Sequence, residues 1–140
     1  MDQNCIFCKI VAGELPCTKL YEDEDTLAFM DIGPVVKGHA LVIPKEHYDP
    51  ITGTPPKVLQ KIITVVQKIA KAQYKGLCAD GINVTQANGE LAGQVVPHIH
   101  FHVIPRFKDD NYSFNWIAGE YKSQEEMAEK AKEILGALEQ

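Results

Sequence analysis

His98, His100 and His102 alternate with Ile99, Phe101 and Val103 inside the segment VVPHIHFHVIPR. Near neutral pH an imidazole can attack an electrophile, carry a proton or bind a metal. A strand repeats its side-chain direction every two residues. The spacing therefore predicts three imidazoles on one strand face, with the apolar residues turned toward the core. A rise of roughly 3.3 Å per residue puts His98 and His102 about 13 Å apart. One ion cannot bind both at about 2.1 Å. The row reads as separate roles laid along a strand. A solvated face would mix Lys, Glu and Thr, so a catalytic row, with or without one metal ligand, is the expected reading.

Cys5 and Cys8 form a second constellation. The C-x-x-C spacing is that of half a zinc site, and also of a redox dithiol. A redox C-x-x-C usually follows a strand and opens a helix in a βαβ context, and only four residues precede this one. Two unpaired thiols are a further alternative. A closed zinc tetrahedron needs two more nitrogen or sulfur ligands. His47 and His98 are the best candidates, since both stand beside loops at strand ends.

The elements that must position these residues follow from periodicity and breakers. CIFCKIVAGE reads as a short helix stopped by Gly13. TKLYEDED and TLAFMDI read as a hairpin turning at Glu22 to Asp25. HALVIP is a short buried strand after the Gly33-Pro34 break. A loop from His47 to Pro56 leads to Thr54, a candidate cap. Val58, Ile62, Val65, Val66, Ile69 and Ala70 keep helical spacing, which predicts a long helix over residues 55 to 75. GINVTQ is a strand, ANGELAGQ a turn, and VVPHIHFHVIP the histidine strand. Residues 106 to 119 look irregular, and 123 to 138 read as an amphipathic, charged helix. The expected class is α+β: an antiparallel sheet of about five strands, one long central helix, and short N-terminal and C-terminal helices.

The chain has 140 residues, which fits a single domain over 1–140. Its net charge of −5 argues against a nucleic-acid backbone as partner, although a small phosphate ester needs only a few local donors. No apolar run approaches the ~20 residues of a membrane span, so no membrane partner is expected. The N-terminus lacks the basic and apolar regions of a signal peptide. Cytoplasmic location with reduced thiols is the expectation.

The quoted residues resemble the histidine-triad (HIT) family of nucleotide hydrolases and transferases. His98-Ile-His100-Phe-His102-Val-Ile is similar to its signature. IFCKIVAGELP, LAFMDI, GHALVIPKEH and AGQVVPHIHFHVIPR resemble further family blocks, in family order. The likeness covers about residues 4 to 106, and 107 to 140 resembles the longer tail of microbial members. The resemblance implies a homodimer whose sheets join, with a purine nucleotide bound in a cleft on each protomer. It implies that His100 attacks the α-phosphorus and forms a nucleotidyl-histidine. His102 and His39 would then flank the phosphate, and Asp31 would hold the ribose hydroxyls. Gln94 would sit on the phosphate side. Phe7, Ile10, Phe29 and Ile32 would wall the base and sugar. In the branch carrying C-x-x-C, the resemblance implies structural zinc on Cys5, Cys8, His47 and His98.

Two positions depart from the pattern. Ala87 stands where members often carry an amide facing the phosphate, with Asn88 next to it as the amide expected on the nucleotide side. Val95 stands where many have a hydroxyl near the leaving group. The expected function is hydrolysis of nucleoside 5′-phosphoramidates, adenosine foremost. Dinucleoside polyphosphate hydrolysis, nucleotidyl transfer, and nucleotide binding with vestigial chemistry are the alternatives. A metal-dependent hydrolase using the histidine row conflicts with the 13 Å spread estimated from the strand rise, roughly six times a metal–ligand bond.

Overall fold

The structure, a computed structural model, describes residues 2–113 and 116–139. A first helix, α1 (Ile6–Val11), is followed by strands β1 (Lys19–Glu22), β2 (Thr26–Met30) and β3 (Ala40–Pro44). The long helix α2 (Pro56–Leu77), strands β4 (Gly81–Thr85) and β5 (Phe101–Arg106), and helix α3 (Gln124–Ala137) complete the order. The five strands form one sheet in the order β1-β2-β3-β5-β4, and every neighbouring pair is antiparallel. The expected α+β class, with a five-stranded antiparallel sheet, one long helix and two flanking helices, is what the chain adopts.

The sheet is covered on both faces at its centre, which is why β2 and β3 read as near-continuous apolar runs. Ala28, Ala40, Val42 and Val103 pack against Ile62, Val65, Val66 and Ile69 of α2. The alternate residues Leu27, Phe29, Leu41 and Ile43 pack on the opposite face against Cys5, Phe7 and Cys8 of the N-terminal segment. His102 lies directly opposite Leu41 in the β3–β5 ladder. Directly paired residues share a face, so His102 lies on the face turned away from α2.

Three boundaries differ from expectation. The histidine strand begins only at Phe101. Pro97 has no N–H to offer a ladder, the His98 N–H goes to Val96 O, and the Ile99 N–H goes to Tyr48 O. His98 and His100 therefore lie on an extended lead-in whose backbone bonds to loops. Thr54 does not cap α2: its hydroxyl donates to Pro50 O at 3.0 Å, and Pro55 takes the cap position with no side-chain bond. The helix runs on to Leu77 and stops at Cys78 in a left-handed conformation, φ 56°.

The C-terminal helix forms where periodicity places it. Ser123 Oγ accepts from the Glu126 N–H at 3.1 Å, and Glu126 returns a carboxylate oxygen to the Lys122 N–H at 2.9 Å, a reciprocal cap. Among the described residues α3 buries none of its side chains. Its apolar stripe, Met127, Ile134 and Leu135, stays exposed. The segment before it is anchored by Arg106, which donates to Asp110 and to Asn83 Oδ1 at 2.7 Å. The expected irregular stretch 106 to 119 includes residues 114 and 115, which lie outside the described residues.

Candidate active site and metal centre

Cys5 caps α1, and its sulfur accepts the Cys8 N–H at 3.4 Å. One turn of helix thus brings two thiols to one point. The lead-in to β5 delivers His98 to the same point. Its Nδ1 lies 3.4 Å from Cys5 Sγ and 3.6 Å from Cys8 Sγ. His47, just after β3, adds Nδ1 at 3.4 Å from Cys8 Sγ. All four donor atoms lie within 4.8 Å of one another. Bonds of about 2.3 Å to sulfur and 2.0–2.1 Å to nitrogen give a tetrahedron with a sulfur–nitrogen edge of about 3.6 Å. The observed separations fit that edge.

The protonation pattern fits as well. His98 Nε2 lies 2.9 Å from Pro44 O. A carbonyl only accepts, so Nε2 carries the proton and Nδ1 turns its lone pair on the thiols. Fully buried His98 is held down to about 4, chiefly by burial. Burial also pushes the Cys5 thiol up. A cation at the centre would reverse that tendency and draw off the thiol proton. Both cysteines are free thiols.

The same segment sets His100. Its Nδ1 lies 2.8 Å from the carbonyl of His98, so Nδ1–H donates and Nε2 keeps a free lone pair. Phe7 presses its ring edge-to-face on both His98 and His100, with centroids 5.8 and 5.1 Å apart. The next histidine belongs to a relay. The Val35 N–H donates to His39 Nδ1 at 3.3 Å, which places the His39 proton on Nε2. That Nε2–H meets His102 Nδ1 at 2.9 Å, so His102 in turn holds its proton on Nε2. Rings of His100 and His102 lie 4.9 Å apart. The result is a nucleophilic lone pair beside an N–H donor.

Burial lowers the pKa of His39. His102 is held down to about 4, first by burial and then by the charge His100 and His39 would carry. Both are neutral at pH 7, which the relay requires. Asp31 Oδ2 lies 3.5 Å from His39 Nε2, and its Oδ1 accepts the Gly33 N–H at 2.8 Å. Asp31, His39 and His102 also bring three donor atoms within 4.8 Å. A metal on His39 Nε2 would force the ring proton onto Nδ1, against the Val35 N–H. The group reads as a hydrogen-bond relay.

The other expected site residues divide. Phe7 and Phe29 are buried together in the core beneath the histidines, 5.7 Å between centroids. Ile10 is half-buried beside them, while Ile32 is 100 % exposed. Asn88 and Gln94 tie loops. Gln94 Nε2 donates to Asp49 Oδ1 at 2.7 Å and Val96 O at 3.0 Å, and its Oε1 accepts the Gly89 N–H at 2.7 Å. Asn88 Oδ1 accepts the Ile51 N–H at 2.8 Å and pairs with Gln86. Gln94 borders a recess of about 520 Å³ that Asp49, Gly89, Glu90, Gly93, Val95 and Pro97 also line. Sequence reasoning missed the Val35 N–H and the carbonyls of Pro44 and His98, which set the tautomers. Backbone groups leave no side-chain signal. Asp49 was missed too, although its place in the 47–56 loop was a faint cue.

Residues 12–109 match the family model of the HIT domain. The chain belongs to the HIT family. An adenosine 5′-monophosphoramidase of Schizosaccharomyces pombe is 48% identical over 103 residues, 74% of each chain. Among solved structures, a HIT family protein from Bacillus anthracis superposes with TM-score 0.91 at 42% identity, covering 99% of this chain and 100% of that one. A zinc-bound histidine triad family protein from Mycobacterium smegmatis superposes with TM-score 0.76 at 40% identity, covering 96% and 98%. The HIT signature thus coincides with the segment that supplies a thiol-facing histidine, a free imidazole lone pair and a relay-fixed N–H donor.

Proposed function

We propose that the protein hydrolyses nucleoside 5′-phosphoramidates, adenosine foremost, in two displacements at the α-phosphorus. The observation that carries this reading is the His100 tautomer: Nδ1–H is spent on the His98 carbonyl at 2.8 Å, which leaves Nε2 as a nucleophile. In the first step Nε2 bonds to phosphorus, the phosphorus–nitrogen bond breaks, and the amine leaves with a proton from solvent. In the second step water attacks phosphorus, the phosphorus–Nε2 bond breaks, and the nucleoside monophosphate departs. A neutral imidazole both attacks and leaves well near pH 7. The His102 Nε2–H donates to a non-bridging oxygen, where charge gathers. Asp31 takes the ribose hydroxyls, and Phe7, Ile10, Phe29 and Ile32 serve the base and sugar. Gln94 and Asn88 act by shaping the phosphate-side loops. The monophosphoramidase of Schizosaccharomyces pombe, 48% identical, supports this substrate class.

Zinc fits Cys5, Cys8, His47 and His98, and it supplies a structural cross-link there. His98 joins that site to the reaction: its ring faces the thiols while its carbonyl orients His100. The same chain, read over 1–140 as a single domain, is proposed to work as a cytoplasmic homodimer. The exposed stripe of α3 and the sheet edges at β1 and β4 support a second copy as partner.

Turnover of a fluorogenic adenosine phosphoramidate compared with diadenosine tetraphosphate tests the reading. The phosphoramidate is expected to be the better substrate by kcat/KM. Preference for the dinucleotide would replace the proposed reaction with dinucleoside polyphosphate hydrolysis. Binding of AMP with turnover of neither would mark a nucleotide-binding module.

A further inference from the structure

Gln73 lies on the sheet-facing side of α2 and is 5 % exposed. Its amide nitrogen donates to two backbone carbonyls, Gly38 O at 3.1 Å and Val103 O at 2.9 Å. Both partners are acceptors only, so the amide can sit only this way round. Gly38 immediately precedes His39, and Val103 immediately follows His102. The ladder between β3 and β5 covers Ala40↔Val103 to Val42↔Phe101. At its His39 end, one side-chain amide from α2 takes over the bridging of the two chains.

The close approach depends on residue 38 having no side chain. Gly38 has φ +102°, and a Cβ there would lie 2.6 Å from Leu77 Cδ1 and 3.0 Å from Pro105 Cγ. Gln73 Oε1, by contrast, is buried with no hydrogen-bond partner among the described residues. An orphaned acceptor costs stability that an apolar residue of this size would not. What the position gains is two donors, aimed at the backbone on either side of the relay.

We infer that Gln73 is a positioning residue. It holds the backbones of His39 and His102 at the spacing where His39 Nε2–H meets His102 Nδ1, and so keeps the His102 proton on Nε2. Hydrogen bonds of 2.9 Å weaken steeply with displacement or misalignment. Without the clamp, His102 exchanges between tautomers, and part of the population turns a lone pair on the phosphate. The effect on rate rests on the phosphoramidate reading; the effect on tautomers does not.

Gln73→Met keeps the length and loses both donors, and Gln73→Asn keeps the amide but falls one methylene short. Long-range ¹H–¹⁵N spectra of the full-length proteins report each imidazole's tautomer. Unchanged His47 and His98 signals show that the fold stands. In both variants the His39 and His102 nitrogens are expected to move toward averaged positions. Turnover of the phosphoramidate should fall about 10- to 100-fold in kcat, with KM within about threefold. A wild-type imidazole pattern, or a kcat within about threefold of wild type, in both variants would overturn the inference however far the melting temperature drops. Absence of phosphoramidate turnover in the wild type would refute the functional reading instead, and the spectra alone would then decide the clamp.

Discussion

His100→Ala is expected to lower phosphoramidate turnover by at least about a thousandfold, because it removes the proposed nucleophile and with it the proposed covalent route. Nucleotide binding should change little, since the proposed base and ribose contacts lie on α1, β2 and the turn that follows it. KM or the AMP dissociation constant is the discriminating readout beside kcat. The side chain is 7 % exposed and rests against Phe7, so a modest loss of stability accompanies the change. His98, whose carbonyl orients the ring, keeps its own contacts. A His100→Ala protein that turns over within tenfold of wild type, roughly 1.4 kcal/mol in the barrier, would remove His100 from the chemistry.

Loss of the proposed metal centre is expected to have the second-largest effect, on stability. Cys8 is 2 % exposed and contacts both His47 and His98. Cys8→Ala should abolish zinc binding, while the wild type should carry about one zinc per chain by elemental analysis. A structural ion adds its binding free energy to folding. Removing it should cost at least about 3 kcal/mol, or roughly 10 °C in melting temperature. Strong chelation of the wild type should reproduce the shift. Turnover should fall as well, because His98 is released from one of its two tethers and its carbonyl sets the His100 tautomer. Protein purified without metal, with wild-type melting and turnover, would contradict the structural role.

Much of this was legible in residue types. Alternation of histidine with Ile99, Phe101 and Val103 announced a strand face with separated roles, and the two donor clusters are indeed distinct, one at His98 and one at His102. The expectation of one regular strand failed before Phe101: Pro97 has no N–H to offer a ladder, the N–H groups of His98 and Ile99 bond to Val96 O and Tyr48 O, and on this lead-in the His98 ring meets the thiols. Helical spacing from Val58 to Ala70 found α2 within two residues at its C-terminal end, because a buried stripe is a strong signal. The same periodicity said nothing of Gln73. A glutamine in a helix reads as surface, and its burial arises only where α2 crosses the side-chain-free Gly38. Asn88 and Gln94 show a related blind spot: amide residues in glycine-rich turns look available to a ligand, yet here they hold Ile51, Asp49 and Gly89. The tautomers of His39 and His100 depend on a backbone N–H and a backbone carbonyl, which carry no signature in residue type.

The central claim is a covalent bond between His100 and phosphorus, and the stereochemistry at that phosphorus tests it most directly. Each in-line displacement inverts the centre, so two displacements through His100 return it to its starting hand. An adenosine phosphoramidate made chiral by sulfur at the α-phosphorus, hydrolysed in ¹⁸O-water, should yield product with net retention. Net inversion would mean a single direct attack by water and would contradict the account.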